Sequence, residues 1–174
     1  MRIIFIDEKN NSVKIIPEIY DDLWHLSHVI ERGDRITVKT YRTFRPTETT
    51  KVERKPVTLI IEVEKVEFHK HTKTLRLLGK IVDGRPEQYV QKGSYHSVNV
   101  EFNEPITITK KERLGKHLIE KIKNAVKQSK KPVVGFVLID DEKALCAMMR
   151  IHGIDIITEI YSGTSKKDPH REER

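Results

Sequence analysis

Apolar and polar residues alternate most clearly in two runs that flank a polar stretch. The first run places Ile36, Val38 and Thr40 on one face and Thr37, Lys39 and Tyr41 on the other. The second run has apolar residues at Val57, Leu59, Ile61, Val63 and Val66. A period of two is typical of a strand with one buried face, so the two runs predict paired strands. Residues 42–55 lack the alternation and are predicted to form the tip of the hairpin.

Short apolar runs on either side of this hairpin predict further strands. They are Arg2–Ile6, Val13–Ile16, Leu75–Val82, Ser97–Phe102 and Ile106–Ile108. Between the second and third strands, Leu23, Leu26 and Ile30 are spaced three and four apart, which predicts one short amphipathic helix that ends at Gly33. Many short strands with one early helix predict a mainly β fold, a small antiparallel β-barrel.

The period changes from two to four after this predicted barrel. Leu114, Leu118, Ile122 and Val126 predict a long helix over Lys110–Ser129. We predict a domain boundary after residue 130, which gives domains 1–130 and 131–174. The second domain has three predicted strands, Val133–Ile139, Lys143–Met149 and Ile154–Tyr161, followed by a polar segment. Three strands bury little surface, so we expect either a partner that covers them or a chain that is a fragment of a longer protein.

Charge and composition narrow the class of partner. The 174 residues are 37% hydrophobic and 34% charged, with a formal net charge of +7. This excess of positive charge favours a polyanion such as RNA, while an aromatic fraction of 6% argues against stacked bases as the main contact. No apolar run reaches the ~20 residues of a membrane span, so we expect a cytoplasmic protein without a membrane partner. The single cysteine, Cys146, excludes an internal disulfide and is predicted to be buried.

Two basic loops are the predicted RNA-binding sites. The hairpin tip carries the cations Arg42, Arg45, Lys51, Arg54 and Lys55 against only Glu48 and Glu53. The second loop contributes Lys92, Tyr95 and His96. Lysine and arginine side chains on a loop can reach backbone phosphates, which makes both loops candidates for RNA contact. The alternative for the tip is a solvated hairpin end without a ligand.

Clustered carboxylates leave an enzymatic alternative open. Asp7, Glu8, Asp21 and Asp22 would converge if the first turn meets the start of the helix, and such a cluster could hold a divalent metal for an RNA endonuclease. Acidic residues in a first helical turn also have a purely structural role. The pairs His25 and His28, and His69 and His71, have spacings that zinc could use but lack further ligands. We therefore predict no cofactor and no metal site unless the nuclease alternative holds.

Several segments of the sequence resemble the archaeal pelota family, the ribosome-rescue paralogues of the class I release factors. They are Ile16–Leu26, Glu31–Asp34, Ile61–Phe68, Leu78–Val82 and Lys92–His96. The resemblance covers the whole chain. It implies an Sm-like amino-terminal barrel over 1–130 with its linker helix, and the beginning of an α/β central domain over 131–174, because the family continues beyond that point.

The resemblance also implies a function and partners. Members of the family enter the empty A site of a stalled ribosome with a translational GTPase related to elongation factor 1 alpha. A recycling ABC-type ATPase then helps to separate the subunits, in the no-go and non-stop branches of mRNA surveillance. The loop corresponding to Arg42–Lys55 reaches into the mRNA channel, and Gly163–Lys167, with Lys166 and Lys167, resembles a loop that contacts ribosomal RNA.

Two motifs of release factors do not occur in this sequence. Neither the Gly-Gly-Gln loop nor Asn-Ile-Lys-Ser is present, so we expect neither peptide release nor stop-codon reading. We expect a monomer without catalysis of its own, although nuclease activity has been suggested and disputed for the family. The other alternative is a generic Sm-like RNA-binding protein that forms rings, which the long helix and the strands after it argue against.

Overall fold

The computed structural model of the protein describes residues 1–44 and 53–163. It divides into two compact units, Met1–Lys130 and Lys131–Arg174. The first unit contains β1 (Arg2–Asp7), β2 (Ser12–Ile16), α1 (Tyr20–Ser27), β3 (Arg35–Phe44), β4 (Glu53–His69), β5 (Thr74–Arg85), β6 (Tyr95–Asn99), β7 (Ile106–Thr109) and α2 (Lys116–Ser129). The second contains β8 (Val134–Ile139), β9 (Lys143–Arg150) and β10 (Gly153–Tyr161). Neither helix is long and apolar enough to cross a lipid bilayer.

The strands of the first unit form one antiparallel sheet in the order β1-β2-β7-β3-β4-β5-β6. This confirms the predicted mainly β fold with one short early helix and a long helix at the end. One groove is lined by both β3 and β6, although two strands separate them in the sheet order. The sheet is therefore strongly curved. Backbone pairing links β3 to β7 only over Arg35–Thr37, so the remainder of β3 has an open edge towards β6.

The core follows the predicted alternation. Val57, Leu59, Ile61 and Val63 of β4 are all at most 3% exposed, while the residues between them are more accessible. They pack in one hydrophobic cluster that also includes Ile36 and Val38 of β3, Leu75, Leu77 and Ile81 of β5, Leu23 and Leu26 of α1, and Ile122 of α2. The sheet is close-packed at Gly79, where an added Cβ would lie 2.1 Å from the carbonyl oxygen of Glu62. A side chain at position 79 would therefore force the two strands apart.

Helix α1 ends at Ser27, six residues before the predicted end at Gly33. The apolar spacing that suggested a longer helix continues because Val29 and Ile30 stay buried after the helix has ended. Gly33 adopts a φ of +91° in the turn that leads into β3, where its backbone N–H donates to Val63 O. Gly33 thus shapes a loop and does not terminate the helix.

Helix α2 begins at Lys116, although the prediction began it at Lys110. The intervening residues instead pair with the β1–β2 turn. The backbone N–H of Lys110 donates to Asn11 O at 2.9 Å, and that of Leu114 donates to Asn11 Oδ1 at 3.1 Å. Leu114 is buried at 2% exposure, so its place in the apolar spacing reflects burial outside the helix.

The side chain of Lys110 lies in the interior of the first unit, where it is only 3% exposed. Its ammonium group donates to Val29 O at 3.0 Å, to Glu31 Oε2 at 2.6 Å and to Asp34 Oδ2 at 2.7 Å. Asp34 is equally buried, and it also accepts the backbone N–H groups of Glu31 and Lys111. Because Lys110 donates to it, the carboxyl group of Glu31 has a pKa below its usual range. These contacts join the loop that precedes β3 to the segment that precedes α2.

The second unit is a three-stranded antiparallel sheet in the order β10-β9-β8, as the sequence predicts. Its large apolar side chains are exposed, among them Val137, Leu138, Ile139, Ile154, Ile156 and Ile160. Ala147 is the only buried hydrophobic residue among the described residues of this unit. Cys146, predicted to be buried, is only partly buried, because the described residues of this unit form a single sheet.

Candidate nucleic-acid interface

The β3–β4 hairpin extends beyond the rest of the sheet. Its ladder runs without interruption from Arg35 opposite Glu62 to Phe44 opposite Glu53. The pairing of β5 with β4 begins only at Thr58, and β7 pairs with β3 no further than Thr37. The outer five pairs, which we call the ribbon (residues 40–44 and 53–57), therefore have no neighbouring strand within the described part of the chain. At roughly 3.3 Å per residue the ribbon projects about 13 Å.

The ribbon carries three of the five predicted tip cations. The register sets Arg42 directly opposite Lys55 and Thr43 opposite Arg54. Arg45 and Lys51 lie outside the described residues. The register therefore brings Arg42, Arg54 and Lys55 into two successive pairs of the ladder.

The second predicted loop is more neutral than its sequence suggests. Lys92 Nζ lies 2.8 Å from Asp83 Oδ1, and the hydrogen bond between them raises the pKa of Lys92 and lowers that of Asp83. The ring of Tyr95, at 56% exposure, lies 5.2 Å from the ammonium of Lys80, and its hydroxyl donates to Glu64 Oε1 at 3.3 Å. A carboxylate thus lies beside each of these two cations, Lys92 and Lys80, and offsets part of the charge that a phosphate would contact.

A groove of about 750 Å³ brings His96 of the second loop next to the base of the ribbon. The residues that line it are Lys39, Thr40, Tyr41, Pro56, His96, Ser97, Val98, Asn99, Glu101 and Glu104. Lys39 and Tyr41 also line the groove, although the sequence predicts neither as a site residue because both belong to a regular strand. The available signal was an aromatic residue on the polar face, and Tyr41 is indeed 68% exposed. An exposed aromatic ring beside polar groups can stack on an unpaired base.

The four carboxylates of the nuclease alternative do not converge. Asp22 lies beside the amino group of Met1 at one end of β1, whereas Asp7 ends that strand and accepts hydrogen bonds from Lys9 and Asn10 in the following turn. Six residues of extended strand separate the two sites by roughly 20 Å. Within residues 1–44 and 53–163, no group of three or more potential ligands could hold a metal ion. Lys166 and Lys167 lie outside the described residues.

The partners of Asp22 instead give it a role in stabilising the fold. Its side chain is 0% exposed, and its Oδ2 atom lies 2.5 Å from the amino nitrogen of Met1. The same oxygen accepts the backbone N–H groups of Glu18 at 2.7 Å and Ile19 at 3.0 Å, which caps the start of α1. Its other oxygen accepts the hydroxyl of Ser129 at the end of α2. Asp22 therefore connects β1, α1 and α2.

His25 is a core residue of α1. It is 9% exposed, and its Nε2 atom has no hydrogen-bond partner among the described residues. Burial lowers the pKa of His25 from its ordinary value of 6.5. The folded protein therefore keeps the neutral imidazole to a lower pH than the unfolded chain, which takes up a proton near pH 6.5.

Stability is expected to fall as the pH drops below about 6.5, because the unfolded state then binds a proton that the folded state does not bind at His25. One proton limits the slope to about 1.4 kcal/mol per pH unit. Urea unfolding between pH 7.5 and 5 measures it, and His25→Gln should have a shallower slope than the parent. Equal slopes for His25→Gln and the parent would contradict the assignment.

The fold and the site define a class of small β-sheet domain with a projecting basic hairpin. The family model of the Pelota N-terminal domain matches residues 1–126. The protein pelota homolog of Methanobrevibacter smithii is 39% identical over 172 residues, which cover 96% of this chain and 48% of that protein. The chain therefore belongs to the pelota family, as the resemblance indicated, and it spans about half the length of the curated relatives it matches.

Two solved structures of the family share the fold. The Thermoplasma acidophilum Pelota protein matches with a TM-score of 0.66 and 27% identity, over 99% of this chain and 48% of that one. A model of ribosome-bound archaeal Pelota and ABCE1 matches with a TM-score of 0.61 and 34% identity, over 99% of this chain and 51% of that one. The relative in the second structure is bound to a ribosome.

Proposed function

We propose that this chain is the amino-terminal part of a ribosome-rescue factor. It binds the empty A site of stalled ribosomes in the cytoplasm and promotes subunit dissociation during no-go and non-stop mRNA surveillance. The observation that carries the proposal is the basic ribbon, which projects about 13 Å beyond the sheet. Membership of the pelota family and the ribosome-bound relative support it.

The ribbon suits a narrow, negatively charged channel. Two strands are only about 5 Å apart, so a ribbon can enter a space that excludes the rest of the sheet. Lysine and arginine side chains near its end can displace counterions from RNA phosphates, and this gives binding that weakens as salt rises. The exposed Tyr41 and the adjacent groove can hold an unpaired base beside those phosphates.

The partners in this proposal are those of the longer protein. They are the ribosome, a translational GTPase related to elongation factor 1 alpha, and a recycling ABC-type ATPase. The relative bound together with ABCE1 supports the last of these. Residues 131–174 are the beginning of the central domain, in which Lys166 and Lys167 contribute a second RNA contact. The chain acts as a monomer and neither reads stop codons nor releases peptides.

Neutralising the tip should weaken ribosome binding. A full-length protein with Arg42, Arg45, Lys51, Arg54 and Lys55 changed to Ala should bind mRNA-stalled ribosomes at least about tenfold more weakly near 0.1 M salt, in the presence of the GTPase. Each lost phosphate contact should also reduce the slope of log K against log salt by about one. Sedimentation with vacant and stalled ribosomes over a series of salt concentrations measures both quantities.

A charge-matched variant separates the tip from the net charge of the protein. Lys9, Lys14, Lys65, Lys70 and Lys73 lie elsewhere on the first unit, and changing these five to Ala removes the same charge. This control should bind nearly as well as the parent. If the tip variant equals the parent at every salt concentration, the tip is a solvated turn, and the search moves to Lys92, Tyr95 and His96.

A further inference from the structure

The positive charge of the chain is concentrated in one segment. Residues 110–131 contain nine lysines and arginines and two glutamates, a balance of +7. The whole chain also has a formal net charge of +7, so the remaining residues are balanced. Only one of the nine cations, Lys110, is buried. The excess charge of this protein therefore lies on and next to α2, away from the ribbon in sequence.

Four of these cations form a row along α2. Lys116, Lys123, Lys127 and Lys130 follow one another at intervals of seven, four and three residues, which places them on one side of a helix. All four are exposed, whereas Ile119, Ile122 and Ala125 form the buried side. With a rise of about 1.5 Å per residue the row is about 21 Å long. We call these four lysines the α2 row.

One carboxylate, Glu120, lies on the same side of α2 as the row, four residues after Lys116 and three before Lys123, but within the described residues it forms an ion pair with neither. None of the four lysines of the row forms an ion pair within the part of the chain that the structure describes, whereas Lys65, Lys80, Lys92 and Lys110 each do. Lys123 and Lys127 are four residues apart and Lys127 and Lys130 three apart, spacings at which like charges repel. Lys116 also lies in the first turn of the helix, which has no acidic residue, and its charge opposes the positive end of the helix dipole. At the other end of the helix, Lys127 and Lys130 lie where the dipole favours cations. The row is therefore exposed positive charge, without ion pairs among the described residues, that an anionic partner can contact.

The composition of α2 indicates the kind of anion. The helix contains no Phe, Tyr or Trp and no arginine, so it has neither a ring for stacking on bases nor a guanidinium fork for reading them. Its large apolar residues belong to the buried and half-buried side, so the row lacks the apolar anchors of a protein interface. A straight row of lysines on a rigid helix suits the regular phosphates of a duplex.

We propose that the α2 row binds the phosphate backbone of double-stranded RNA, independently of sequence and separately from the ribbon. This surface goes beyond the proposed function of the hairpin, which concerns a channel that holds single-stranded mRNA. It predicts that the chain binds a simple RNA duplex even when the hairpin tip carries no charge.

Fluorescence anisotropy with a labelled duplex RNA of 20 base pairs tests the proposal. The protein carries the neutralised hairpin tip, and Lys116, Lys123, Lys127 and Lys130 are changed to Gln, which retains helix propensity. We expect duplex affinity to fall at least about tenfold near 0.1 M salt and the salt slope to decrease by three to four. Far-ultraviolet circular dichroism verifies that the helix content is unchanged.

A control variant replaces Lys9, Lys65, Lys70 and Lys73 with Gln and has the same net charge. It should bind the duplex like its parent, and an equal loss in both variants would reduce the effect to net charge and overturn the proposal. Binding to polyglutamate is measured in parallel. If the α2 variant loses polyglutamate affinity but keeps duplex affinity, the row serves an acidic protein surface and the proposal is wrong. Ribosome binding by the tip variant is a separate measurement, so either proposal can fail alone.

Discussion

Replacing Lys110 with Met is expected to lower the free energy of unfolding by about 3–5 kcal/mol, the cost of removing one partner from a buried ion pair. The methionine side chain fills a similar volume, so lost packing contributes little. The carboxylate of Asp34, 2% exposed, would keep two backbone N–H donors but lose its countercharge. Val29 O would lose its contact with the ammonium group as well.

Urea unfolding followed by circular dichroism measures this loss. Lys111→Met changes the adjacent exposed lysine and should cost no more than about 0.5 kcal/mol. Combining Lys110→Met with Asp34→Asn removes both buried charges, and the double variant should be more stable than the sum of the two single losses by at least about 1 kcal/mol. Strict additivity would show that the two side chains do not interact.

Replacing Asp22 with Asn is the second substitution with a large expected effect, again about 3 kcal/mol or more. The buried amino group of Met1 would lose the carboxylate 2.5 Å away, and one amide oxygen cannot also accept every hydrogen bond of the two carboxylate oxygens. Because Asp22 connects β1, α1 and α2, the loss should be cooperative and should lower the melting temperature of the whole first unit.

Differential scanning calorimetry of Asp22→Asn tests this role, with Glu18→Gln as the matched control. Glu18 contacts the same amino group at 3.2 Å, but its side chain is 40% exposed, so its removal should cost less than about 1 kcal/mol. If the two variants melt at the same temperature, Asp22 does not hold the elements together.

The strands could be predicted because their pattern reflects a local property. A strand with one buried face must alternate, and Ile36, Val38, Leu59 and Ile61 are buried as that period requires. The helix boundaries could not be predicted in the same way. Apolar spacing records burial alone, and both Ile30 and Leu114 are buried outside a helix.

The groove depends on tertiary structure and has no local signal. Tyr41 and His96 are 55 positions apart, and they line the same groove only because the sheet curves until β6 approaches the open edge of β3. The sequence also does not predict that the charge of the second loop is offset. Lys92 counts as a free cation until the structure places Asp83 beside it.

Helix α2 is fixed at both ends. Asn11 accepts the backbone N–H of Leu114 before its first turn, the hydroxyl of Ser129 donates to Asp22 at its last residue, and the Lys121 ammonium donates to His28 O between them. A helix held in this way is pre-organised, so a ligand that binds along it loses no affinity to ordering of the backbone. The first unit thus presents this charge on a rigid helix. Binding to the helix should therefore be fast and should leave the rest of the domain unchanged.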